Sequence, residues 1–143
     1  MTINEKQNQI IEDFSAFTEW IDKYEYLIEL GKNLAVIDEK SKTEQNLIKG
    51  CQSRVWIDAE YAGGKIIYKA DSDAIITKGI ISLLVSVMSE HKPEDIINAD
   101  LFFIDKIGLH ENLSPTRANG LLAMIKQMRL YALAFASVQK NEI

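Results

Sequence analysis

Cysteine occurs once in the chain, as Cys51, which excludes an intramolecular disulfide and a cysteine-rich metal cage. A chain without disulfides fits a reducing compartment. Histidine occurs twice, at His91 and His110, with no ligand spacing between them, and both read as surface residues. Basic residues are in the minority, 16 Lys plus Arg against 21 Asp plus Glu, for a net charge of -5. An acidic surface repels phosphate backbones, so nucleic acid is not the expected partner. Long apolar runs are missing: the most apolar stretch, Ala74 to Met88, contains Lys78 and falls short of the roughly 20 residues a membrane span needs. The start, Met1-Thr2-Ile3-Asn4-Glu5-Lys6, has neither the cationic opening nor the apolar segment of a secretion signal. These features predict a soluble, cytoplasmic protein with no membrane partner. Also lacking are a glycine-rich phosphate loop, a Gly-x-Ser-x-Gly elbow and a metal-ligand cluster.

What is present suffices for one folded unit. The 143 residues, 47% hydrophobic and 26% charged, match a single globular domain over 1–143. A chain of this size buries roughly 68–70% of its unfolded surface. No internal repeat or linker divides it.

Local signals place the elements. Thr2 with Glu5 three residues on forms a capping-box pattern. It predicts a helix from Ile3, with Ile10, Ile11, Phe14 and Phe17 at helical spacing. A second helix is expected after Thr18, with Trp20, Tyr24, Leu27 and Ile28 on one face and Gly31 as its left-handed stop. Lys32 to Thr43 reads as a loop whose charges, Asp38 to Lys42, are solvated. From Ser53 the period becomes two: Val55, Ile57, Ala59 and Tyr61 point one way, Trp56, Asp58 and Glu60 the other. Gly63-Gly64 supplies a hairpin turn, and Lys65 to Ala70 returns as a second strand. Asn46 to Lys49 is a candidate third strand, turning at Gly50-Cys51-Gln52. Asp71-Ser72-Asp73 is expected to cap a central helix, about Asp73 to Ser89, that is apolar nearly all round. Gly79 within it costs helix stability, about 0.5–1 kcal/mol against Ala, which points to a close packing contact. The two prolines both open helices: Pro93 a short turn through Ile97, and Pro115, after the cap Ser114, a long final helix. Leu121, Leu122, Ile125, Met128, Ala132 and Phe135 form the core stripe of that last helix. Leu101 to Leu109 stays ambiguous, since Gly108 stops any helix early. The order predicts an α+β domain, a small three-stranded antiparallel sheet with helices packed on one face.

Three residues stand out for chemistry. Cys51 lies in Lys49-Gly50-Cys51-Gln52-Ser53-Arg54, at a turn among polar residues. It is either a small buried hydrophobe or a nucleophile whose thiolate Lys49 and Arg54 favour. Arg117 sits in the first turn of the final helix, where the dipole disfavours a cation by about 0.3–1 kcal/mol. It is either an exposed arginine tolerating that cost or one facing an anion, such as Asp73 or a sulfur anion. Asp73 is in turn either a helix-start acid or part of a site.

At Gly50-Cys51-Gln52-Ser53-Arg54-Val55-Trp56 the sequence resembles the SufE family of sulfur-acceptor proteins. The likeness continues through Trp20 to Gly31, through Asp71-Ser72-Asp73-Ala74 with Lys78-Gly79, and through Leu113-Ser114-Pro115-Thr116-Arg117 with Gly120-Leu121 and Met124. Leu34-Ala35-Val36 departs from it, where many members carry prolines. The resemblance implies a fold shared with IscU-type scaffolds, Cys51 at a loop tip, and Asp73 and Arg117 nearby. It implies no enzyme but a sulfur carrier. Cys51 takes persulfide sulfur from a SufS-like cysteine desulfurase, stimulates it, and delivers sulfur to a SufBCD-like iron–sulfur scaffold complex. The chain then needs no cofactor beyond the persulfide on Cys51, because pyridoxal phosphate belongs to the desulfurase. A CsdE-like paralogue serving another desulfurase and other recipients is the alternative within the family. The chain is expected to be a monomer or a homodimer, with the Cys51 loop sheltered at rest. Two other classes are a cysteine hydrolase with His91 or His110 as base, and an interaction module in which Cys51 is inert.

Overall fold

A computed structural model describes residues 1–141 of the chain; Glu142 and Ile143 of the expected 1–143 domain lie outside the described residues. The first helix, α1 (Ile3–Ser15), starts as expected: Glu5 N–H donates to Thr2 Oγ1 at 3.1 Å and Thr2 N–H to Glu5 Oε1 at 3.1 Å. It buries Ile3, Ile10 and Phe14 together with Gln7. The Gln7 amide is satisfied across the fold, donating to Asp100 O at 3.0 Å and accepting from Phe103 N at 3.1 Å, so its burial carries no unmet polar cost.

Helix α2 (Trp20–Lys32) crosses the central helix α3 (Ile75–Met88) at two glycines. A Cβ on Gly79 would overlap the Leu27 carbonyl, and one on Gly31 would lie 2.9 Å from Gly79 N. The expected packing role of Gly79 is therefore met. Gly31 is a correction: it is helical, α2 runs on to Lys32, and Asn33 closes it by donating to Leu30 O at 3.1 Å. Glycine is needed there for the close approach and not for a left-handed turn.

Strands β1 (Val55–Ala62) and β2 (Lys65–Ser72) form an antiparallel hairpin joined at Gly63 and Gly64, whose φ angles are 60° and 79°. Two consecutive positive φ values suit the twist of a two-residue turn. The register sets Ile57 against Ala70 and Tyr61 against Ile66, so Val55, Ile57, Ile66, Tyr68 and Ala70 share one buried face. Helices α3 and α7 (Pro115–Asn141) cover it, and Tyr68 Oη donates to Met128 O at 2.7 Å inside the core.

The sheet has two strands, not three. Residues 46–48 make only a bridge, Leu47 to Trp56, with Ile48 N donating to Val55 O at 2.8 Å and Ile57 N to Asn46 O at 3.0 Å. The chain turns on both sides of that bridge, at Thr43 to Asn46 and at Gly50, whose φ is 95°, so the pairing cannot extend. The outer edge of β2 is closed in the same way, by bridges of Ile66 to His91 and Val36 to Ala70. Short segments thus occupy edges that would otherwise invite strand addition.

Two charge assignments change. Lys42 is half-buried and not a free loop charge: it contacts the buried carboxylate of Asp71 at 2.8 Å and lies 5.2 Å from the centre of the Trp56 ring. Asp71 also meets Lys78 at 3.3 Å. Burial alone would raise the Asp71 pKa, but Lys42, the Ser72 amide and Lys78 outweigh it and hold the carboxyl below its usual range. Nor do residues 71–73 cap α3, whose preceding residue Ala74 makes no side-chain cap bond.

The remaining chain packs against α1, α3 and α7. Short helices α4 (Pro93–Asn98), α5 (Phe103–Lys106) and α6 (Leu109–Asn112) follow, with a left-handed Gly108 (φ 77°) resolving the ambiguous stretch into two turns. Helix α7 starts at Pro115 after Ser114, whose hydroxyl accepts from Arg117 N at 3.3 Å. Leu121, Ile125, Met128 and Ala132 are buried as expected, but Leu122 is 56% exposed. By length and composition α7, not flagged by its sequence, is long and apolar enough to cross a membrane. Its buried stripe is instead committed to the sheet.

Candidate functional site

The turn at Gly50 sets Cys51 half-buried against the first turns of α7. The thiol donates to Gly120 O at 3.6 Å, and a Cβ on Gly120 would come within 3.3 Å of Sγ. Gly120 is buried, and its missing side chain is what leaves room for the sulfur. Beside Cys51 opens a cavity of about 360 Å³, walled by Ile80 and Met124 on its apolar side and by Ser53, Thr77, Asp73 and Arg117 on its polar side. Neither His91 nor His110 lines it, so the cavity offers no imidazole base and the hydrolase reading loses its required geometry.

The three residues singled out in the sequence therefore converge on one cavity, from the 50–54 loop, from the β2–α3 junction and from the start of α7. Their contacts differ from expectation in two respects. Lys49 and Arg54 are exposed, and burial pushes the Cys51 thiol above its ordinary pKa. The expected thiolate-favouring effect is absent at rest, because desolvation disfavours the anion. Asp73 is a clamp on the loop: its carboxylate accepts from Arg54 N at 3.0 Å and its own amide donates to Arg54 O at 3.2 Å. Ser72 Oγ donates to the same carbonyl at 2.9 Å. Arg117 is exposed and forms no ion pair among the described residues, which leaves its guanidinium available to an anion in the cavity.

Thr77 is a lining residue that sequence reasoning missed. It is buried, and its hydroxyl lies 3.2 Å from that of Ser53. A threonine between Ile76 and Lys78, near the start of a largely apolar helix, was the available signal, since a buried hydroxyl needs a partner.

Releasing the clamp should expose the thiol. In Asp73→Ala the loop loses a hydrogen bond to a charged group; if about 1 kcal/mol of it held the loop closed, the open population rises about fivefold. Iodoacetamide should then label Cys51 about five times faster than in the unaltered chain at equal pH. An unchanged rate would show that Asp73 does not restrain the loop.

An α+β domain with one half-buried thiol facing a mixed apolar and cationic cavity is the class of protein that fold and site define. The sequence model of the SufE family, described as an Fe-S metabolism associated domain, matches residues 8–132. An uncharacterised SufE-like protein of Rhizobium meliloti (strain 1021) is 39% identical over 127 residues, covering 85% of this chain and 91% of that protein. The chain belongs to the SufE family. In fold it is similar to the solution structure of a hypothetical protein from Thermus thermophilus, with a TM-score of 0.76 at 21% identity, covering 92% of this chain and 96% of that one.

Proposed function

We propose that the chain is a persulfide sulfur carrier, with Cys51 as acceptor, a cysteine desulfurase as donor and an iron–sulfur scaffold as recipient. The observation that supports it most is the seating of the only thiol at a cavity large enough for an added sulfur and flanked by an exposed cation, Arg117, with no ion-pair partner among the described residues. In the transfer step the Cys51 thiolate attacks the terminal sulfur of the donor persulfide. The new S–S bond forms on Cys51, the donor's S–S bond breaks, and its thiolate leaves and takes up a proton. No external oxidant or reductant is consumed.

Each neighbour then has a role. Arg117 stabilises the Cys51 persulfide anion by charge. Ser53 and Thr77 are paired, so one hydroxyl proton joins the two and the other remains to donate to the same anion. Asp73 restrains the loop and so acts as a positioning residue. The resting site favours protonated sulfur, and transfer needs the anion. Docking of the donor opens the 50–54 loop, which restores solvation and brings the thiol into range. The chain has no cofactor of its own on this reading, pyridoxal phosphate being the donor's, and it works in a reducing compartment such as the cytoplasm.

The test is desulfurase turnover. Adding the chain to its host's cysteine desulfurase with free cysteine and reductant should raise sulfide release, because an acceptor that clears the enzyme persulfide frees the enzyme for its next turnover. Turnover that does not respond to the chain would contradict the donor assignment.

A further inference from the structure

Helix α7 turns a second face to solvent. Leu122, Leu130 and Leu133 are 56%, 46% and 50% exposed, and their spacing sets them on one stripe with Lys126 and Arg129. Single exposed leucines are ordinary, but three on one stripe form a patch. The helix carries four of the chain's 16 cations (Arg117, Lys126, Arg129 and Lys140) and none of its 21 acidic residues, although the chain as a whole is acidic. Two concavities flank Lys126 and Leu130. One, about 320 Å³, runs along Leu122, Arg129 and Leu133. The other, about 370 Å³, lies between α7 and residues 44–49; one acid, Glu44, lines it beside two cations, Lys126 and Lys49, the latter next to the Cys51 loop. Arg129 is half-buried, donating from one terminal nitrogen to Ala99 O at 2.7 Å with its Nε buried and unpartnered, so its guanidinium is tied back at the rim of this face and Lys126 is the exposed cation of the stripe.

We infer that this face is a docking surface for a protein that presents acidic residues around an apolar ridge, and that its occupant is the protein that supplies sulfur to Cys51. That last clause rests on the proposed function. Charge complementarity and continuity with the Cys51 loop carry the assignment. A second copy fits poorly, because a symmetric α7–α7 contact sets Lys126 and Arg129 against their equivalents with no acid on the helix to answer them. A bilayer fits poorly as well, since the surface is grooved and the rest of the chain is acidic.

The test titrates the host's cysteine desulfurase with the unaltered chain, Lys126→Glu, Leu130→Glu and Cys51→Ser, after circular dichroism shows that each is folded. The two α7 variants should bind about tenfold more weakly, in the range seen when central interface residues are replaced. Affinity of the unaltered chain should fall with salt, and less steeply for Lys126→Glu. Cys51→Ser should bind like the unaltered chain. Equal affinity of all four overturns the docking surface. So does a dimer of the unaltered chain, lost in Leu130→Glu, with desulfurase affinity unchanged. The same holds for binding to vesicles of equal parts phosphatidylcholine and phosphatidylglycerol, lost in Lys126→Glu, with desulfurase affinity unchanged. Weaker binding of the α7 variants in a chain whose Cys51 never acquires sulfur would leave the docking surface standing and remove the carrier reading alone.

Discussion

On the proposed carrier function, Cys51→Ser should abolish stimulation of a cysteine desulfurase and leave the fold intact. Serine is close in shape and keeps a donor, and the contact it loses is a weak one, the 3.6 Å approach of the thiol to the Gly120 carbonyl. The site is half-buried and at a turn, so the stability change should stay within about 0.5–1 kcal/mol. Activity has no such tolerance. An alkoxide does not form near neutral pH and cannot hold sulfur as a persulfide, so transfer should fall to the level of desulfurase without the chain. Melting temperature and sulfide release, read on one preparation, separate the two effects. Full stimulation by the serine variant would favour the interaction-module reading, in which the thiol is inert.

Gly79→Val should be the most damaging change to stability. The added Cβ meets the backbone carbonyl of Leu27, and a backbone cannot move aside as a side-chain tip can. Either α2 and α3 separate or α2 bends, and both open the core around Leu27, Ile80 and Leu83, all buried. Overpacking costs about 1–3 kcal/mol where neighbours yield and more where they do not; here about 3–5 kcal/mol is expected. The helix-propensity gain from removing glycine, a few tenths of a kcal/mol, does not offset this. In a domain whose whole stability is about 5–15 kcal/mol, the variant should melt about 10 °C lower or more. A melting temperature within about 2 °C of the unaltered chain would show that the helix crossing is not as tight as the glycine contact implies.

The features legible in the sequence are those decided by neighbours along the chain. Thr2 and Glu5, Gly63-Gly64, and Ser114 with Pro115 each carry their own geometry, and the elements they bound form where expected. Failures come where distant partners decide. Gly31 has the composition of a helix stop, but the opposing Gly79 makes it a contact. Lys42 has the composition of a loop charge, but Asp71 and Trp56 draw it in. Asn46 to Lys49 is a candidate strand in the sequence, but the turns around it allow one bridge. Leu122 fits the helical period, but the buried stripe of α7 does not extend to it.

The site is legible in part for the same reason. Cys51, Asp73 and Arg117 stand out through local anomalies and through resemblance, and they share a cavity. Gly120 and Thr77 do not announce themselves as parts of it, because a glycine that makes room for sulfur and a hydroxyl paired with Ser53 acquire meaning only when three segments meet. The state of the thiol is the misleading feature: basic neighbours in sequence are exposed in space, and burial prevails.

The most direct measurement is the intact mass of the chain after incubation with the host's desulfurase and free cysteine, without reductant, followed by peptide mapping. A sulfur carrier gains the mass of one sulfur atom on the peptide containing Cys51, and loses it when dithiothreitol is added. A chain that leaves this mixture with unchanged mass, while the desulfurase itself carries persulfide and the two proteins bind, would contradict the account.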